Sequence, residues 1–113
     1  LGGVWMKGRT HFIKIAPVYF AKVVDKSKKC EIRNNDRKYK VGDIVVLMEY
    51  DKEKDFFSGR TATVEITYIT TYEQKRNMVV FSFALLACCL NYETNRGRQI
   101  SSVNGKCLTE CEA

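Results

Sequence analysis

One proline, one histidine and seven glycines stand in a chain of 113 residues. So little proline and glycine excludes collagen-like repeats and linker-like chains. The single imidazole, His11, opens an apolar–polar alternation and reads as a hydrogen-bonded structural group. There is no Ser-His-Asp set, no glycine-rich phosphate loop and no Cys-x-x-Cys pair. The longest apolar run, Met78 to Leu90, contains Ser82 and falls short of the ~20 residues of a membrane span. No signal-like apolar stretch opens the chain. It begins at Leu1, which marks a fragment or trimmed product with Met6 as a candidate start. The length allows one domain and excludes a large enzyme with its own cofactor domain.

What is present builds a core and a basic surface. Six Phe, six Tyr and one Trp, with 45% hydrophobic residues, exclude disorder along the whole chain. The net charge is +6. Between Lys22 and Lys40, Lys22, Lys26, Lys28, Lys29, Arg33, Arg37, Lys38 and Lys40 stand against Asp25, Glu31 and Asp36. That segment alone carries nearly all of the excess. A concentrated basic surface suits phosphates, because neutralising them releases counterions.

Hydrophobic periodicity gives the elements. Residues 11–15 alternate and predict a strand. Pro17 suits the first turn of a helix running to about Lys26, with Ala16, Phe20, Val23 and Val24 on its apolar face. Residues 29–34 predict a second strand, with Cys30 and Ile32 on an apolar face and Lys29, Glu31 and Arg33 opposite. Cys30 is therefore expected to be a buried thiol. Asn34, Asn35 and Asp36 signal a turn, and Gly42-Asp43 another. Ile44 to Met48 reads as a strand buried on both faces, and Asp51 to Gly59 as the loop closing a hairpin. Residues 60–72 predict a long strand with Ala62, Val64, Ile66 and Tyr68 on one face and a bulge near Ile69. The polar turn Glu73–Asn77 leads to a last strand with Val79, Phe81, Phe83 and Leu85 on one face. The expected fold is α+β and mostly β: one early helix and about five strands in a small barrel or curled sheet. The expected organisation is an extension over 1–10, a barrel over 11–86, and a cysteine-containing tail over 87–113.

The segments His11-Phe12-Ile13-Lys14-Ile15, Lys28 with Glu31-Ile32-Arg33, Asn35-Asp36-Arg37, Val41-Gly42-Asp43, Glu49-Tyr50-Asp51 and Ser58-Gly59-Arg60 follow one another in a distinctive order. In these blocks the chain resembles the DUF3850 family, itself similar to ASCH domains of the PUA-like superfamily of RNA-associated β-barrels. The resemblance implies a PUA-like barrel with an early helix. It also implies a ligand cleft beside that helix, lined here by Lys28, Glu31 and Arg33. A guanidinium beside a carboxylate can read the donors and acceptors of a base, and Lys28 adds a point charge.

The function expected is RNA or nucleotide binding by Lys28, Glu31, Arg33, Asn35, Arg37, Lys38 and Lys40. The bland reading makes Glu31 and Arg33 an ordering ion pair, Asn35-Asp36-Arg37 turn chemistry, and Lys38 and Lys40 a solvated face. Gly42-Asp43 reads as turn and cap. The alternative is hydrolysis of a modified nucleoside, as in an ASCH branch acting on N4-acylcytidine. There Lys28 and Glu31 are the weak catalytic candidates. Glu31 occupies the position of that branch's Thr, so its nucleophile is missing, and Glu65 and Glu73 are only candidates for its later carboxylate. Five cysteines cannot all pair internally, and Cys88 and Cys89 are adjacent, which argues against zinc with Cys107 and Cys111. No cofactor or membrane partner is expected; a protein partner remains open, and a reducing cytoplasm fits best.

Overall fold

Alternating strands and one amphipathic helix account for the architecture of the computed structural model, which describes residues 8–90. In chain order these are β1 (Thr10–Ile15), α1 (Pro17–Val24), β2 (Cys30–Asn34), a 3-10 turn (Asn35–Arg37), β3 (Ile44–Asp51), β4 (Phe56–Thr70) and β5 (Met78–Cys89). The five strands form one sheet in the order β1-β3-β4-β5-β2. β1 runs parallel to β3, and the other pairs are antiparallel.

The sheet curls into a half-barrel and does not close by strand pairing. β1 and β2 are its two edges. Side chains bridge them instead. Arg33 Nη2 donates to the Lys14 carbonyl at 2.8 Å, and Arg9 Nη2 donates to the Arg37 and Lys38 carbonyls at 2.8 Å each. Guanidinium groups thus bridge parts of edges that would otherwise offer open backbone to other chains.

The concave face holds the core. Val45 and Leu47 of β3, Ala62, Val64 and Ile66 of β4, and Val79, Phe81 and Phe83 of β5 are buried there. Phe20 and Val23 of α1 pack on them. Pro17 opens the helix as expected. Lys26 (φ 70°) ends it in the left-handed region, with Ser27 N–H on the Lys22 carbonyl and Lys26 N–H on the Val23 carbonyl, the two bonds of a Schellman cap. Ala16, expected on the apolar face, is exposed; its carbonyl instead accepts the first helical bonds, from Tyr19 and Phe20 N–H.

Several expectations are corrected. Cys30 is exposed and Ile32 is 57% exposed, whereas Glu31 is buried. The faces of β2 are reversed because its inward positions hold an ion-paired group, and an edge strand has only partial cover outside. β3 is buried on one face only, since the single helix lies on the concave side and its outward residues stay half-covered. β4 shifts register between Ile66 and Tyr68, which turns Tyr68 outward. The bulge therefore lies slightly earlier than expected. β4 also begins at Phe56, so the β3–β4 turn is shorter than the expected loop. β5 continues through Cys89, three residues into the expected tail; Cys88 is buried at its end. Cys107 and Cys111 lie outside the described residues.

Gly42 sits at φ 96°, which L side chains rarely adopt. Its turn presents Asp43, 1% exposed, to three donors: Arg9 N–H, Lys40 N–H and His11 Nε2–H. The capping reading of Asp43 and the structural reading of His11 both hold.

Candidate ligand site at the seam of the half-barrel

Two carboxylates are buried on the inner wall, and they differ in how completely they are bonded. Glu49 continues the inward series Val45, Leu47 on β3. It accepts Ser58 Oγ–H at 2.6 Å, Arg60 Nε–H at 2.7 Å and Arg60 Nη2–H at 2.9 Å. Burial alone would raise its pKa. The Arg60 and Ser58 hydrogen bonds and the Arg60 charge outweigh that and hold it below the ordinary value. Arg60 also lies over the Phe20 ring at 5.3 Å, tying this group to α1.

Glu31 on β2 pairs in register with buried Phe81 and is 5% exposed. Arg33 Nε donates to its Oε1 at 2.9 Å. Lys28 Nζ lies 3.4 Å from Oε2, but donates to the Cys30 carbonyl and lies near the Tyr19 ring. Oε2 is buried and accepts no hydrogen bond among the described residues. Native buried polar atoms nearly always have a partner, so this oxygen is a marked exception. Lys28 and Arg33 keep 24% and 27% of their side chains exposed, so this group borders solvent.

Lys28, Glu31 and Arg33 thus converge as expected. They do not line one described cavity: Lys28 borders a cavity of about 350 Å³ beside α1, with Val23, Lys26 and Phe83, and Arg33 borders another. The other four expected site residues are divided as well. Arg37 shares with Arg33 a slot of about 360 Å³ across the seam, lined also by Phe12, Lys14, Asp36, Tyr39 and Met48. Asn35 uses its Oδ1 to accept Tyr39 N–H at 3.0 Å. Asn35, Lys38 and Lys40 line a different groove, where Lys75 and Arg76 of the β4–β5 turn join them.

Sequence reasoning missed Glu49 and Arg60 as site residues. The signal was available: Glu49 has the parity of Val45 and Leu47, and Arg60 that of Ala62 and Val64. Among the described residues no set of three or more His, Cys, Asp or Glu side chains is placed to hold a metal. No described helix is long and apolar enough to cross a membrane.

Glu49 and the buried turn residue Asp43 carry a pH prediction. Asp43, like Glu49, is held below its ordinary value: burial opposes this, and the His11, Arg9 and Lys40 bonds prevail. A depressed carboxylate adds stability that is complete above its unfolded pKa and is lost as pH falls through the folded value. With ordinary values of 3.8 and 4.5, the thermal midpoint is expected to hold above that range and fall on further acidification. A midpoint unchanged between about pH 6 and about pH 2 would contradict this.

Fold and site together define a small half-barrel domain with two buried carboxylate–arginine groups, one with both oxygens hydrogen-bonded and one with a buried oxygen that has only the Lys28 charge beside it. The chain belongs to the family described as "Domain of unknown function (DUF3850)", whose model matches residues 10–83. It is 34% identical over 65 residues to an "Uncharacterized 12.9 kDa protein in GpA 3'region" of Escherichia phage P2. That match spans 58% of each of the two chains.

Proposed function

We propose that the domain is a PUA-like, ASCH-type module that binds RNA or a nucleotide in the cytoplasm, using the cleft at Lys28, Glu31 and Arg33. The observation that carries this reading is the buried, unbonded Oε2 of Glu31 beside two partly exposed cations. Lys28 lies 3.4 Å from this oxygen without hydrogen-bonding it, and a buried carboxylate oxygen left without a hydrogen bond is costly. A base amino or imino group would supply a donor to this oxygen once the partly exposed Lys28 side chain swings aside. Arg33 spends Nε on Glu31 and Nη2 on Lys14, which leaves Nη1 to donate to a base or phosphate oxygen. Donor and acceptor side by side match a base edge. The hydrolase reading draws no support from these contacts: Lys28 touches a carbonyl, a carboxylate and a ring, not a nucleophilic hydroxyl.

Titration of the protein with single-stranded RNA and with mononucleotides, followed by calorimetry, tests this. Binding is expected to weaken steeply with salt. Arg33→Ala is expected to cost about 10–100-fold in affinity, the range of a charge-assisted bond. Lys38→Ala, fully at the surface, is expected to cost under about fivefold. Failure of every RNA and nucleotide to bind at low salt sinks the proposal.

A further inference from the structure

We infer that the groove between the Asn35–Lys40 segment and the β4–β5 turn is a second, separate site that takes the phosphodiester backbone of a single RNA strand. This rests on the RNA reading above and extends it to a different surface. The groove holds about 580 Å³, against about 360 Å³ for the slot at the seam. Lys38, Lys40, Lys75 and Arg76 line it, and no carboxylate does. None of the four is in an ion pair among the described residues. Elsewhere the described buried carboxylates each have a cation or imidazole beside them. Four cations facing one space with no internal counter-charge repel one another, and an anion spanning several of them relieves that repulsion.

The walls are fixed by backbone bonds. Asn35 N–H donates to the Asn77 carbonyl at 2.8 Å and so joins the two turns. Lys38 N–H closes on Asn35, and Met78 N–H on Lys75. Lys38 itself holds φ 53°, a left-handed conformation that glycine or asparagine adopts more readily. A lysine there places its charge at the groove at a conformational cost. A preformed concave track of cations suits a flexible single strand, which can lie along it.

The test uses the full chain and an oligouridylate of about ten nucleotides. Lys75→Ala/Arg76→Ala alters an exposed turn and leaves the core intact. Each phosphate contact contributes about 0.7 to the salt slope for a single strand, so this variant is expected to lower the slope by about 1.4. Amide signals over 35–40 and 71–78 are expected to shift on binding. If the oligomer binds with signals moving only near Lys28 to Arg33 and the slope unchanged, the groove proposal is overturned and the cleft reading stands. If signals move only in the groove, the groove stands and the cleft reading fails. If nothing binds at low salt, both fail. Equal binding of a poly-glutamate peptide of matched charge overturns the groove as an RNA site in favour of an acidic protein.

Discussion

Asp43→Ala is expected to destabilise the domain by about 3–4 kcal/mol, more than any other single polar change considered. Asp43 is almost wholly buried and takes three donors: two backbone N–H groups and the His11 ring. Its carboxylate is an acceptor only, so the proton in the 2.7 Å contact belongs to His11 Nε2. Removing the carboxylate strands all three donors. Each buried unsatisfied group costs about 1–3 kcal/mol, and the two backbone groups lie near enough to the surface to recover some hydration. For a domain of this size that is a fall of roughly 12–30 °C in the thermal midpoint. The effect should reach the seam. Asp43 fixes the start of β1 to the Lys40–Gly42 turn, and His11 packs edge-on against Tyr39, which in turn packs on Phe81. Asp36→Ala, at an exposed turn, is the control and should change stability by under about 0.5 kcal/mol. Urea unfolding of both variants measures this. A loss below about 1 kcal/mol for Asp43→Ala contradicts the account.

The sequence made β1, α1, the core faces of β4 and β5, and the Gly42-Asp43 turn legible because in each a period or a turn residue is set by local chemistry. Tyr68 escaped it, since a one-residue register shift reverses every later side chain and alternation alone cannot locate the shift to the residue. β2 escaped it for a different reason. Cys30 and Ile32 look like a buried pair only if apolar residues must face inward. Here Arg33 compensates Glu31 and Lys28 stands beside it, so a charge occupies the inner face and Ile32 stays out at an edge. The shared face of Glu31 and Arg33 was readable from parity, and Lys28 was placed beside them by the family resemblance. The joining of Lys75 and Arg76 to Lys38 and Lys40 was not, because it depends on one long-range backbone bond between Asn35 and Asn77.

Replacing the whole Lys28, Glu31, Arg33 group with apolar residues is expected to weaken mononucleotide binding by more than about 100-fold while leaving the domain folded. The contrast with single changes makes this decisive. Glu31→Gln keeps the shape of the side chain but removes the charge that two cations face. With Lys28 and Arg33 each about a quarter exposed, the cost in stability is expected at about 1–3 kcal/mol, below that of a fully buried pair. Affinity for an RNA or nucleotide is expected to fall about 30-fold, the equivalent of one charged hydrogen bond of about 2 kcal/mol. A loss of both stability and binding in that variant does not separate an ordering role from a recognition role. The triple variant Lys28→Met/Glu31→Leu/Arg33→Met does. Exchanging a whole buried ionic group for apolar side chains of similar volume is often neutral or stabilising, because the desolvation cost disappears with the charges. The Arg33 bridge to the Lys14 carbonyl, the Lys28 bond to the Cys30 carbonyl and the Lys28 contact with the Tyr19 ring are lost with them, all from side chains that are partly exposed. If the group merely orders the half-barrel, the triple variant binds as well as the wild type. If it reads a ligand, as Glu31 Oε2 suggests, binding drops by more than about 100-fold at unchanged stability. Urea unfolding and calorimetric titration of the same preparation give both numbers. Wild-type affinity in the triple variant removes the recognition role outright.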